Sequence, residues 1–138
     1  MIRAALLIAS LFFVGPLLAQ QVLVSGVYKG HQPCEECKVI ESELELMYGA
    51  TDTSGEFSLR DKYISEPGGT NMASRVKGDW VMKQDIIDGQ ICKIVVLDYD
   101  NEDKIRYYRV KGDGNLLPLD ADKHPVKATI DCTLKKVE

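Results

Sequence analysis

The residues best suited to chemistry are Cys34 and Cys37, in the run "KGHQPCEECKVIESELEL" at positions 29–46. A Cys-x-x-Cys brings two sulfurs together on one turn. That suits a disulfide, a redox cycle or two-coordinate copper(I). Thiolates are soft ligands and select copper(I) or zinc over hard cations. A structural zinc site asks for four ligands, and only His31 stands close by in the sequence. His31 is therefore the candidate third ligand for copper, weighed against a plain exposed loop histidine. A thioredoxin-type enzyme places its cysteine pair at the head of a helix. Here the pair runs into an alternating strand pattern. Glu35 and Glu36 lie between the cysteines, and anions beside a thiol disfavour the thiolate. Both features argue against catalysis.

The other reactive side chains are scattered. Cys92 and Cys132 both fall on inward positions by alternation. They can form a cross-barrel disulfide if their Cα atoms come within about 7 Å. Otherwise they act as small buried hydrophobes. Met47, Met72 and Met82 stand outside any methionine-rich motif, so packing or surface roles are expected. His124 precedes a proline in a turn. Asp98, Asp100, Glu102 and Asp103 form an acidic hairpin tip without the spacing or glycine of a calcium loop. Nothing resembles a hydrolytic triad or a nucleophile elbow.

The chain of 138 residues suits about one domain. Its N-terminus, "MIRAALLIASLFFVGPLLAQQ", has a single basic residue, an apolar stretch and a small-residue site at Ala19. This reads as a secretory signal peptide over 1–19, followed by a barrel domain over 20–138. The apolar stretch is interrupted and short of the ~20 residues a helix needs to span a bilayer. The mature form is expected to have no membrane span and to be periplasmic or secreted. In that oxidising setting, disulfides are allowed. The net charge is −4, and losing Arg3 with the leader makes it one unit more acidic. Nucleic acid would demand a basic footprint, so it is excluded as a partner.

The elements that hold these residues are strands. In "VIESELELMYG", Ile40, Ser42, Leu44, Leu46 and Tyr48 share one face and Glu41, Glu43 and Glu45 the other. Only a period of two does this. "EFSLRDKYI" sets Phe57 and Leu59 in step, "RVKGDWVMKQ" sets Val76, Trp80 and Met82, and "ICKIVVLDY" sets Cys92, Ile94 and Val96. "DIIDGQ" is read as a turn after a short bridging segment. "KATIDCTLKKV" is read as the last strand, with Ile130, Cys132 and Leu134 inward. Pro118 marks "NLLPLD" as an edge or end strand. The expected fold is all-β: a small antiparallel barrel of about six to eight strands, with the Cys-x-x-Cys turn after the first. Such a barrel is wide enough to be filled by side chains or to hold one small ligand.

These segments together resemble the NlpE family. "GVYKGHQPCEEC" is similar to its Gly-x-Tyr-x-Gly…Pro-Cys-x-x-Cys opening, "ELEL" to its Leu-x-Leu strand and "GDW" to its Gly-x-Trp. "RYYRVKGDGNLLPLD" resembles its Tyr-Tyr-Arg…Gly-Asp…Leu-x-x-Leu-Asp run, and "HPV…TL" its closing strand. The resemblance implies a lipocalin-like barrel with the Cys-x-x-Cys at one rim. It implies a non-enzymatic bacterial envelope protein tied to copper resistance, copper homeostasis and the envelope stress response. The partner would be an envelope-stress sensor or other envelope protein. No cofactor is required; copper(I) is the ion to consider. Family lipoproteins carry an acylated cysteine at the cleavage site, whereas Gln20 and Gln21 follow Ala19 here. A lipid anchor is therefore not expected. The alternative function is a barrel that carries a small hydrophobic ligand. A thiol–disulfide enzyme ranks below both.

Overall fold

Alternating apolar and polar residues give each segment one dry face, and the chain buries those faces by curling one antiparallel meander on itself. The computed structural model describes residues 23–137; the signal peptide expected over 1–19 lies outside them. The strands are β1 (Gly26–Gln32), β2 (Val39–Tyr48), β3 (Ser54–Ile64), β4 (Met72–Ile87), β5 (Gln90–Leu97), β6 (Arg106–Val110), β7 (Leu116–Leu119) and β8 (Lys135–Lys136). Their order is β7-β6-β5-β4-β3-β2-β1-β8. The ring closes where Leu116 and Leu134 exchange backbone hydrogen bonds of 2.9 and 2.8 Å. This is a nearly closed eight-stranded barrel, with no helix among the described residues.

The interior is filled. Tyr28, Leu44, Phe57, Leu59, Trp80 and Leu97 form its centre, with Val95, Tyr108, Leu116 and Leu134 in the same cluster. Trp80 is fully buried and donates its indole N–H to the Met47 carbonyl at 2.9 Å. Buried indoles need such a partner. The Tyr28 hydroxyl donates to the Val24 carbonyl at 2.6 Å.

Three expectations need correction. First, β4 does not end before "DIID" but runs to Ile87. Asp88 and Gly89 alone make the turn, with φ of 51° and 76°. Two consecutive positive φ values are the signature of a tight hairpin whose twist matches its strands. Second, the inward residues of β5 are Val95 and Leu97. Cys92, Ile94 and Val96 keep step with one another but face outward. There they form a second buried cluster with Ile87 and Leu119, against which Val81, Ile105 and Tyr107 pack. A strand buried on both faces shows no polar alternation, so β5 could not be oriented by pattern alone. Third, the closing strand shrinks to Lys135–Lys136, and Ile130 is exposed. Hydrogen bonds with β7 and β1 hold this last segment in place.

The connection after β7 folds back against the barrel. Asp120 and Val126 donate backbone hydrogen bonds to the His124 and Pro118 carbonyls. The Lys123 ammonium pairs with Asp85 of β4 at 2.5 Å and lies 5.2 Å from the centre of the Tyr107 ring. That contact lowers the Asp85 pKa and raises that of Lys123, in each case mainly through the hydrogen bond between them.

Candidate functional site

The cysteine pair sits in the 33–38 connection, where β1 has ended and β2 has not begun. Pro33 has no N–H to continue the ladder, so the strand stops at Gln32. Cys34 and Cys37 form a disulfide, with Cα atoms 5.3 Å apart. Both are half-buried, while Glu35 and Glu36 between them are exposed. The Lys38 amide donates to the Ile64 carbonyl at 2.8 Å. That bond fastens the exit of the turn to the end of β3. The pair is thus a clip at one rim of the barrel.

Beneath the rim the interior turns polar. Gln32 donates to the Ser42 hydroxyl at 3.0 Å, and Ser42 donates to the Asp61 carboxylate at 2.6 Å. Ser42 and Asp61 are buried, and no buried side-chain polar atom among the described residues lacks a partner. Tyr108 is buried close to this group. Burial pushes its pKa up, neighbouring Arg106 opposes this, and Asp61 adds to it. The pattern had placed Ser42 inward. It had not placed Asp61 there, although Phe57, Leu59 and Asp61 recur at a period of two.

His31 points the other way. It lies on the outer, exposed face of β1, opposite Glu41 in register. There it lines a shallow surface concavity of about 640 Å³ with Lys29, Glu43, Arg60 and Lys62. Neither cysteine lines that concavity. Among the described residues, no group of three or more His, Cys, Asp or Glu side chains is placed to hold a metal ion. The structure therefore brings Cys34 and Cys37 together but not His31 with them. His124 is 3.9 Å from Asp88 at the tip of the β4–β5 hairpin. Met82 packs into the core, and Met47 and Met72 are exposed.

Cys92 and Cys132 are buried free thiols, not a disulfide. The reason is geometric. Cys92 belongs to the outward cluster of β5, and β6 and β7 intervene before the segment that carries Cys132. The Cys132 thiol lies 3.6 Å from the Ile130 carbonyl. Burial, with Asp131 adding to it, pushes its pKa up.

No described helix is long and apolar enough to cross a membrane. The family profile for the NlpE N-terminal domain matches residues 28–129. No curated protein matches the sequence. Among solved structures, a candidate lipoprotein from Shewanella oneidensis is similar, at 27% identity and a TM-score of 0.55. The match covers 82% of this chain and 88% of that one. The Cpx pathway activator NlpE from Escherichia coli matches at 23% identity and a TM-score of 0.48 over 83% of this chain. The match spans 50% of that longer protein. With the profile matched across most of its length, and with a barrel whose first turn carries the cysteine pair, the chain belongs to the NlpE N-terminal domain family.

Proposed function

We propose that this is an exported, non-enzymatic envelope protein that senses copper(I) or reducing conditions through Cys34 and Cys37. The observation that carries the reading is the Cys34–Cys37 disulfide in the rim turn, outside any strand. In the bonded state it offers no thiolate. A dithiol reductant of the envelope would open it by transferring two electrons and two protons, becoming a disulfide itself. The two thiols would then lie on one short turn. Releasing their protons to water as copper(I) binds, they would hold the ion between two soft sulfurs, a ligand set that this ion accepts and zinc does not. The altered rim would be read by contact with an envelope-stress sensor or another envelope protein.

Two observations weigh against the other readings. A carrier needs room inside, and the interior is packed by Trp80, Tyr28, Phe57 and their neighbours; the larger concavity is charged and external. A thiol–disulfide enzyme would use a helix N-terminus to stabilise its thiolate, and here a strand follows the pair.

The test is a competitive copper(I) titration against a colorimetric chelator. Reduced protein is expected to bind about one equivalent through a two-thiolate site. The oxidised protein and the Cys34→Ser/Cys37→Ser variant are expected to bind none. His31→Ala should bind as the parent does, since His31 faces outward. Equal binding by the double serine variant would sink the proposal. Turnover in an insulin-reduction assay would show that the protein is an enzyme.

A further inference from the structure

The first half of β4 lies along an opening in the barrel wall. That strand pairs with β3 over residues 72–81 and with β5 only over 80–87. Its first half therefore has a neighbour on one side alone. Two bonds orient its backbone. Asp79 accepts from the Asp98 amide at 2.9 Å on the β5 side, and Met82 donates to the Thr53 carbonyl at 2.7 Å on the β3 side. Backbone groups alternate in direction along an antiparallel strand, and the register is unbroken from 72 to 87. The N–H and C=O of Ala73, Arg75 and Lys77 thus face the open side, and no backbone partner meets them there among the described residues.

The opening has two chemical faces. On the inside, Phe57, Leu59 and Val76 floor a concavity of about 260 Å³, which Ile105 of the facing loop also lines. Val76 is 38% exposed although it points inward, because no strand covers it. On the outside stand Arg75 and Lys77, both exposed and with no ion pair among the described residues. The loop wall across the opening is balanced, with Asp98 and Asp103 beside Lys104 and Arg106, and Asp79 ends the basic stretch.

We propose that residues 72–79 of β4 form a strand-addition site for an acidic, extended segment of a partner protein in which acidic and apolar residues alternate. Backbone bonds to Ala73, Arg75 and Lys77 supply the pairing. Apolar side chains of the added strand enter the concavity over Val76, and its acidic side chains stand opposite Arg75 and Lys77. Self-pairing of this edge about its central residue is disfavoured. Pairing the edge with itself about Val76 sets Arg75 against Lys77 twice, and like charges directly opposite are destabilising. Basic side chains on an edge are a recognised guard against such self-pairing.

The test uses the full chain and a short blocked peptide that alternates glutamate and valine, with amide hydrogen exchange followed by NMR. In the free protein the amides of Ala73, Arg75 and Lys77 exchange fast; with the peptide they become protected. A lysine–valine peptide, and the glutamate–valine peptide N-methylated on alternate amides, should each bind at least about tenfold more weakly. Arg75→Glu/Lys77→Glu, at two exposed positions, should reverse the preference between the two charged peptides. Protection already present in the free protein would overturn the proposal, as would protection that grows with protein concentration alone. Equal binding of all three peptides, or no binding, would overturn it too. No copper and no thiol enters the measurement, so its outcome is separate from that of the copper titration.

Discussion

Ser42 and Asp61 face one another across the β2–β3 pair, and the serine hydroxyl donates a 2.6 Å hydrogen bond to the carboxylate inside the barrel. Gln32 completes the chain from β1. Three strands are therefore tied by side chains just beneath the disulfide turn. A buried acceptor that loses its donor costs roughly 1–3 kcal/mol. Ser42→Ala is expected to lower unfolding stability by an amount in that range. Ser42→Ala/Asp61→Leu, which removes both polar partners, should cost less than the sum of the two single changes. Urea unfolding of the four proteins in a double-mutant cycle measures the coupling.

The β2–β3 hairpin contains a glycine that packing requires. A Cβ on Gly55 would stand 1.9 Å from the Met47 carbonyl oxygen and 2.6 Å from the Gly49 amide nitrogen. Both are backbone atoms, so neither can swing aside. Gly55→Ala should destabilise by about 1–3 kcal/mol, the usual range for overpacking. Gly112→Ala is the control, because a Cβ there meets nothing within 4 Å. It should change stability by no more than about 0.5 kcal/mol, as surface substitutions do. Thermal unfolding of both variants beside the parent distinguishes them.

Most of the barrel was legible in the sequence because its strands are wet on one face. β2 announces itself through three glutamates in step, and the register places them outward opposite Lys29, Arg60 and their neighbours. β5 was legible as a strand but not in its orientation. Its outward residues are covered by a second cluster, and a residue pattern records burial, not which side of the sheet supplies it. The same error moved Cys92 to the inside and made a Cys92–Cys132 bond look reachable. At the site, the Cys34–Cys37 pair is local and its spacing reveals it. The inward aspartate depends on partners from other strands. The outward turn of His31 follows from parity with Tyr28, which is buried three residues earlier; sequence proximity to Cys34 obscured it.

The cysteine assignment yields a thiol count. The folded, unreduced protein should react slowly with a bulky thiol reagent, because Cys92 and Cys132 are buried and the Cys132 thiolate is disfavoured. Unfolding without reductant should release two reactive thiols, and unfolding with reductant four. Mass mapping of the labelled peptides should place the first two labels on Cys92 and Cys132. Zero thiols before reduction would mean that those two are bonded to each other. Labels on Cys34 and Cys37 would mean that the rim disulfide is absent.

Alkaline pH should loosen the barrel through its buried tyrosines. Burial, with the nearby Tyr48 adding to it, pushes the Tyr28 pKa up to about 12, and burial raises Tyr108 as well. In the unfolded chain both phenols ionise near the ordinary value of about 10. Below that pH both states are protonated and the contribution to stability is full. Above it the unfolded chain gives up protons that the folded chain retains, so unfolding becomes progressively easier as pH climbs toward 12. Stability should therefore be flat with respect to these groups at neutral pH and fall steadily above about pH 10. Tyr28→Phe removes one titrating group and also the hydroxyl that donates to Val24. It should begin less stable at neutral pH and then lose stability with a shallower slope. Chemical denaturation across this range, with tyrosinate absorbance followed in parallel, tests both parts. An unchanged slope in the variant would mean that Tyr28 ionises in the barrel as readily as in water.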